Sequence, residues 1–363
     1  MGLCCGMIGL PNVGKTTVFN ALVGAGAVAA NYPFSTVETN VGVAPVPDPR
    51  LYRLAEIFRS KEITPSTLEV RDIAGLVQGA SQGEGLGNQF LAQIREVDAI
   101  MHVVRCFQDP DVVHVGGGVN PLKDIEIIET ELMLADLETL DRRKQRLEKR
   151  GKSGDAQAGK ELTFVSKLTE LLNKGEWLKA QPFTMDEQAL LREYQLLTAK
   201  PVLFIANVSE EVEADDSHVS VLHELAEKKG TRVVVICGQL EAEISALPVE
   251  ERQAYLQELG LAESGLVRLT KAAYDLLSLI TFFTAGEEEA RAWPIHRGTK
   301  APSAAGKIHS DMERGFIRAE VYAYEDLIAC GTPATVREKG LFRLEGRDYV
   351  IKDGDVVYFR FNV

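Results

Sequence analysis

The chain has 363 residues, 45% hydrophobic and 26% charged, which is a globular composition and a length that suits two or three modules. No run of eighteen or more uncharged apolar residues occurs, which excludes a helical membrane span. A formal net charge of −13 excludes a protein that coats nucleic acid over its whole surface, because phosphate neutralisation needs an excess of Lys and Arg.

The N-terminus, Met1-Gly2-Leu3-Cys4-Cys5, lacks a basic n-region, so no signal peptide is expected. In residues 1–122, short apolar runs alternate with polar or glycine-rich turns. Strands are expected at 4–8, 67–70 and 99–106, with room for helices between them. That is the α/β pattern of a mostly parallel sheet. From residue 125 to about 150, Ile125, Ile128, Leu132 and Ala135 recur at helical spacing. The stretch 151–159 is expected to break this helix, and Leu162, Val165, Leu168 and Leu172 mark a second one. Together they predict an antiparallel helical hairpin. Buried-strand runs resume at 201–206 and 232–237, so the hairpin reads as an insertion into one sheet domain. Beyond about residue 278 the texture is β-rich: residues 317–324 alternate, and Asp353-Gly354 reads as a turn between two strands. Charge follows these divisions. Residues 281–363 carry 12 Lys+Arg against 13 Asp+Glu, leaving 28 against 40 in the rest. The five cysteines include no C-x-x-C pair, which fits free thiols in a reducing cytoplasm.

The main chemical signal lies after the first strand. Gly9-Leu10-Pro11-Asn12-Val13-Gly14-Lys15-Thr16 fits the G-x-x-x-x-G-K-[ST] pattern of a phosphate-binding loop. Backbone N–H groups from Asn12 through Thr17 (Asn12, Val13, Gly14, Lys15, Thr16, Thr17) and a helix N-terminus would surround the phosphates. Lys15 would bridge the outer phosphates and serve catalysis, and the Thr16 hydroxyl would bind Mg²⁺. Asp72-Ile73-Ala74-Gly75 supplies a D-x-x-G element. There Asp72 would hold Mg²⁺ through water and the Gly75 N–H would sense the terminal phosphate. Asn31-Tyr32-Pro33-Phe34-Ser35-Thr36-Val37-Glu38-Thr39 stands where a first switch loop belongs, and a threonine there can close on the metal.

With Leu76-Val77-Gln78-Gly79-Ala80 after the D-x-x-G element, these motifs resemble the Obg-like translation-factor NTPases. Gly83-Glu84-Gly85-Leu86-Gly87-Asn88-Gln89-Phe90-Leu91 narrows the resemblance to the YchF (Obg-like ATPase) subfamily. The likeness runs along essentially the whole chain, to Phe361-Asn362-Val363. It implies Thr36 as the metal-facing switch residue, ATP with Mg²⁺ as cofactor, and association with the ribosome, either its large subunit or the assembled particle. It also implies a last domain of β-grasp type, the TGS module. The expected fold class is therefore α/β: a P-loop NTPase domain at 1–122 and 200–277, the helical hairpin at 123–199, and a TGS-like β-grasp domain at 278–363.

Guanine readers carry N-K-x-D after a buried strand, the Asp accepting two bonds from the base. Asn173-Lys174-Gly175-Glu176 has the lysine but follows a leucine-rich helix. Asn207-Val208-Ser209-Glu210 stands after the strand, with Val208 for the lysine and Glu210 for the aspartate. A carboxylate one methylene longer cannot make the same fork, and adenine does not need it. ATP is therefore the expected nucleotide, read by Asn207, Val208 and Glu210, and the resemblance agrees. The position after D-x-x-G is Leu76, which cannot orient water, so intrinsic turnover should be slow. Gln78 and Gln82 are near in sequence with their direction left open by the glycine-rich loop, and His114, in a second glycine-rich loop, is the stronger candidate to position that water; the resemblance implies the same. His102 sits in an apolar run and reads as a core histidine. Arg142, Arg143, Lys144, Arg146, Lys149, Arg150 and Lys152 cluster near the hairpin turn. They fit a solvated helical face with ion pairs or a footprint for RNA phosphate. The reading is a cytoplasmic, monomeric Mg²⁺-dependent ATPase. The alternatives are a ribosome-binding module organised by nucleotide and a guanine-specific GTPase.

Overall fold

A computed structural model of the chain describes residues 4–27, 41–73, 86–109, 112, 118–152, 155–210 and 217–362. Among these, the elements run β1 (Cys4–Ile8), α1 (Lys15–Ala27), β2 (Val41–Val46), α2 (Pro49–Phe58), β3 (Glu62–Thr64), β4 (Ser66–Asp72), α3 (Leu86–Glu96), β5 (Ala99–Arg105), α4 (Pro121–Lys152), α5 (Ala156–Asn173) and α6 (Met185–Tyr194). There follow β6 (Val202–Asn207), α7 (Ser217–Lys228), β7 (Val233–Ile236), α8 (Gly238–Ala246), α9 (Val249–Glu258) and α10 (Gly265–Leu276). The last part holds β8 (Leu279–Ala285), β9 (Glu289–His296), α11 (Ala301–Ile308), α12 (Ser310–Arg314), β10 (Phe316–Ala323), α13 (Tyr324–Cys330), α14 (Pro333–Glu338), β11 (Arg343–Glu345) and β12 (Asp355–Phe361). Two compact units result. One holds the described residues of Met1–Ala25, Phe34–Gly42 and Glu69–Ala273, the other those of Gly26–Pro33, Val43–Leu68 and Tyr274–Val363. No described helix is long and apolar enough to cross a membrane.

The first sheet has the order β2-β4-β1-β5-β6-β7. β1 pairs parallel with β4 and β5, β5 with β6, and β6 with β7. Strands β1 and β5 are buried along their whole length, as central parallel strands must be. Parallel pairing brings the carboxyl ends of β1, β4, β5, β6 and β7 to one edge, where open α/β sheets bind their ligands.

The hairpin departs from expectation at its turn. Helix α4 continues through Gly151 and Lys152, and Asp155 caps α5 by accepting from the Gln157 and Ala158 N–H groups. Gly159 lies inside α5, because this carboxylate satisfies the helix start and no glycine break is needed. The outer part has its own core of Leu140, Leu147, Val165, Leu168 and Leu172. The start of α4 instead sends Ile125 into a cluster with Val104, Phe204 and Ala206 of the sheet. Between them, the fully buried Asp136 accepts from Leu197 N at 2.9 Å, Thr198 N at 2.8 Å and Thr198 Oγ1 at 2.7 Å. Burial raises its pKa and these bonds oppose the rise.

The second unit is a mixed sheet of order β11-β10-β12-β8-β9-β3. Its β3 strand pairs parallel with β9. Residues 43–68, placed with the nucleotide-binding domain on sequence grounds, thus fall in the second unit. The reason is packing: Leu51, Leu54 and Ala55 share one buried cluster with Phe283, Ala292 and Val356. The Asp353-Gly354 turn also forms, with Gly354 at φ 86°. The stretch before it is not a strand, however, and only Val350 makes a bridge, to Lys300. Asp353 accepts from Thr281 N at 2.9 Å and from Arg50 Nη1 at 2.7 Å, while Arg50 Nη2 donates to Asp48 at 2.7 Å.

Replacing Arg50 by alanine should therefore cost about 1–2 kcal/mol of stability, read by urea unfolding. Burial alone would raise the Asp353 carboxyl, but the Arg50 and Thr281 bonds outweigh it and hold the pKa below its ordinary value. This contribution is present above the unfolded pKa and is lost as pH falls through the folded one. The gap between variant and wild type should accordingly narrow below about pH 4.

Candidate functional site

The loop after β1 turns through two left-handed residues, Asn12 at φ 63° and Gly14 at φ 83°. Asparagine and glycine are the residues that tolerate this conformation. Helix α1 then starts with Val18 N donating to Gly14 O at 3.1 Å, so its free N-terminal N–H groups face the loop. The Lys15 ammonium contacts the Asp72 carboxylate from the end of β4, and Thr16 Oγ1 donates to the other Asp72 oxygen at 3.2 Å. Lys15 is 9% exposed, and burial draws its pKa down to about 8. The adjacent Asp72 carboxylate favours the charged form, so the ammonium persists at neutral pH.

Asn207 is 4% exposed and sits at the end of β6, as the sequence suggested. Its amide is engaged by backbone: Nδ2 donates to Val13 O at 2.8 Å, and Oδ1 accepts from Gly238 N at 3.0 Å. One side chain thus ties the phosphate loop to the start of α8. A Cβ on Gly14 would lie 2.1 Å from that Nδ2, so only glycine fits beneath it.

A cavity of about 1290 Å³ opens here, lined by Asn12, Gly14, Lys15, Thr16, Thr17, Asp72, Asn207, Val208 and Glu210. Val13 does not line it; its side chain is buried and its carbonyl takes the Asn207 bond. The expected switch residue Thr36, together with Gly75, Leu76 and His114, lies outside the described residues. Two further walls escaped the sequence reading. Phe107 and Gln108 follow β5, and Gln239 and Glu243 stand on α8. The available signal was position, since each follows the carboxyl end of a buried parallel strand.

No described group of three or more His, Cys, Asp or Glu side chains is arranged to hold a metal ion. The Thr16 hydroxyl and Asp72 carboxylate are nonetheless a hard oxygen pair of the kind Mg²⁺ takes while it keeps several waters and phosphate oxygens. His102 is 3% exposed, and burial lowers its pKa to about 3, so it is a neutral core residue. Burial pushes the Cys4 thiol up to about 12 and raises Cys5 as well, leaving both inert. In the basic cluster, Arg143 pairs with Glu193 at 3.0 Å and lies 3.8 Å over the Tyr194 ring. Arg150 pairs with Asp155 at 2.7 Å and Arg142 with Glu138 at 3.8 Å. Part of that cluster therefore serves the hairpin itself.

Comparison with known proteins matches these features. Residues 4–148 fit a family model described as a 50S ribosome-binding GTPase, MMR_HSR1. Residues 279–362 fit YchF-GTPase_C, described as a protein of unknown function (DUF933). The chain is 52% identical to the ribosome-binding ATPase YchF of Bacillus subtilis strain 168 over 366 residues, covering all of both proteins. It is 51% identical to that of Escherichia coli O157:H7, again over the full length of both. The solved structure of the Schizosaccharomyces pombe YchF GTPase superposes with a TM-score of 0.89 at 33% identity, covering 99% of this chain and 98% of that one.

Proposed function

The chain belongs to the YchF family, and on that premise we propose that it is a ribosome-binding ATPase that uses slow hydrolysis at the cavity above as a switch. The observation that carries this reading is the convergence of Lys15 and Thr16, at the head of α1, with Asp72 at the end of β4. On nucleotide binding, Lys15 exchanges its contact with Asp72 for the outer phosphates, and the backbone N–H groups of residues 12–17 close around them. Thr16, Asp72 and Thr36 are the residues we assign to Mg²⁺, and the ion, when bound, neutralises charge on the outer phosphates. Gly75 is assigned to the terminal phosphate.

ATP is the preferred nucleotide in this reading. Both functional groups of the Asn207 amide contact backbone, so discrimination falls largely to Val208, Ser209 and Glu210. Glu210, one methylene longer than the guanine-reading aspartate, lines the cavity. Calorimetry should find adenine nucleotides bound at least as tightly as guanine ones. Guanine nucleotides binding tenfold tighter would return the protein to the class of guanine-specific GTPases.

His114 is assigned to positioning the attacking water, because Leu76 cannot. His114→Ala should lower turnover about a hundredfold with ATP affinity nearly intact; unchanged turnover removes the assignment. The ribosomal role is tested by measuring hydrolysis with and without ribosomal subunits. Stimulation supports the switch, whereas co-sedimentation without stimulation favours a binding module in which hydrolysis is incidental. We further assign the β-rich segment 278–363 to a TGS-like domain and residues 123–199 to the inserted hairpin. Both are candidate RNA contacts of a monomer working in the cytoplasm.

A further inference from the structure

Adenine carries an amine donor at position 6 beside a ring-nitrogen acceptor. A side chain that meets this edge in full needs an acceptor and a donor side by side, as a carboxamide has. Both functional groups of the Asn207 carboxamide are occupied by backbone, Nδ2 on Val13 O and Oδ1 on Gly238 N. Of its neighbours on the wall, Val208 is apolar, Ser209 offers a single hydroxyl and Glu210 offers acceptors alone. Gln239, directly after Gly238, brings a second carboxamide to this end of the cavity, and it is exposed there.

Gln239 stands on a fixed support. It is the second residue of α8, and the buried Asn207 holds the N–H of the residue before it. A Cβ on Gly238 would lie 3.1 Å from Val18 and 3.2 Å from Asn207 Oδ1, so this turn packs closely on α1. Farther along the same turn, Glu241 is 3% exposed and accepts from Gly265 N at 2.5 Å and Leu266 N at 3.4 Å. A side chain on a helical turn tied at both ends is positioned more sharply than one on a loop. We propose that Gln239 reads the base: its Oε1 accepts from the N6 amine of adenine, and its Nε2 donates to the adjacent ring nitrogen. Turned over about its last bond, the same amide can donate to guanine O6, so it reads ATP without excluding GTP. The inference rests on the reading of this cavity as an ATP site.

The test uses the full chain as wild type, Gln239→Leu and Gln108→Leu. Calorimetry compares ADP with purine riboside 5′-diphosphate, which lacks the 6-amine. Leucine is close in size and the position is exposed, so the fold should be retained, with an unchanged melting temperature. ADP affinity is expected to fall about fivefold in Gln239→Leu, whereas affinity for the amine-free analogue stays within about twofold. For MgATP, KM should rise about fivefold with kcat nearly constant, since binding alone is lost. Gln108→Leu, on the wall after β5, should affect both diphosphates alike. Unchanged ADP affinity in Gln239→Leu overturns the inference, as does an equal loss for both ligands, which makes the residue a general part of the wall. A loss selective for ADP in Gln108→Leu alone moves the reading to that residue and overturns it too. Wild type that binds neither diphosphate overturns the ATP-site reading and this inference with it. Should leucine lower the melting temperature, Gln239→Ala takes its place under the same criteria.

Discussion

Replacing Lys15 by alanine should lower ATP turnover about a thousandfold, the loss seen when one preorganised electrostatic donor is removed from a site of this kind. The ammonium is well placed for this role. It is buried, held at the head of α1 and aimed at the Asp72 carboxylate. Its removal also takes the cation from Asp72, whose side chain is 11% exposed, so stability has to be read beside turnover. Saturating kcat separates the two effects, because a purely structural loss lowers the active fraction and the melting temperature together. The pH dependence offers a second check with a definite sign. Burial draws the Lys15 pKa down to about 8, and phosphate binding needs the protonated form. Free-enzyme kcat/KM should therefore fall on the alkaline side at or above pH 8. The folded protein itself gains stability with rising pH between that value and the unfolded pKa of about 10.4, because the unfolded chain there binds more protons. Activity and stability should thus move in opposite directions over the same range. A kcat/KM flat to pH 10, or a Lys15→Ala variant of near-normal turnover, would remove Lys15 from the mechanism.

Asn207→Ala carries the second large effect, and it is one of both shape and stability. The substitution strips Val13 O and Gly238 N of their partner inside the protein. Two unsatisfied buried backbone groups should cost about 2–4 kcal/mol. The phosphate loop would then keep its glycines but lose the strut that fixes its middle, and ATP affinity should fall on the order of tenfold to a hundredfold. Asn207→Asp separates the two bonds. It keeps an acceptor for Gly238 N, but it replaces the donor with an oxygen facing Val13 O, so affinity should fall while the β6–α8 tie survives. Calorimetry of ADP binding and thermal unfolding together decide the matter. Melting and affinity both unchanged in Asn207→Ala would mean that the strut does not shape the site.

These residues also mark how far the sequence can be read. Cys4–Ile8 is a buried strand in the structure, and the glycine-rich loop and helix follow it as the motif requires, because each depends only on near neighbours in the chain. Asp72 was legible for the same reason: it ends a strand whose apolar alternation is local. The place of Asn207 after β6 was legible too. Its dual contact was not, since Val13 lies 194 residues away and Gly238 lies 31 residues beyond. The hairpin turn was misplaced because the glycines at 151, 154 and 159 suggested a helix break across that stretch, whereas α4 runs through Lys152 and Asp155 caps α5. Arg105 falls inside the strand expected at 99–106, and nothing local announces that its guanidinium donates to three backbone carbonyls.

The sequence by itself determined the phosphate-binding chemistry, the parallel sheet that presents it, and the helical insertion, because these follow from periodicity and from residues adjacent in the chain. Only the tertiary structure decided which surfaces share a core. Segment 43–68 joins the second unit because β3 pairs with β9 and Leu51, Leu54 and Ala55 complete a cluster begun by residues more than 220 positions later. Strand pairing at that separation leaves no local trace: a short strand offers the same backbone donors and acceptors to any edge. Its partner is selected by the apolar surface that the whole arrangement removes from water.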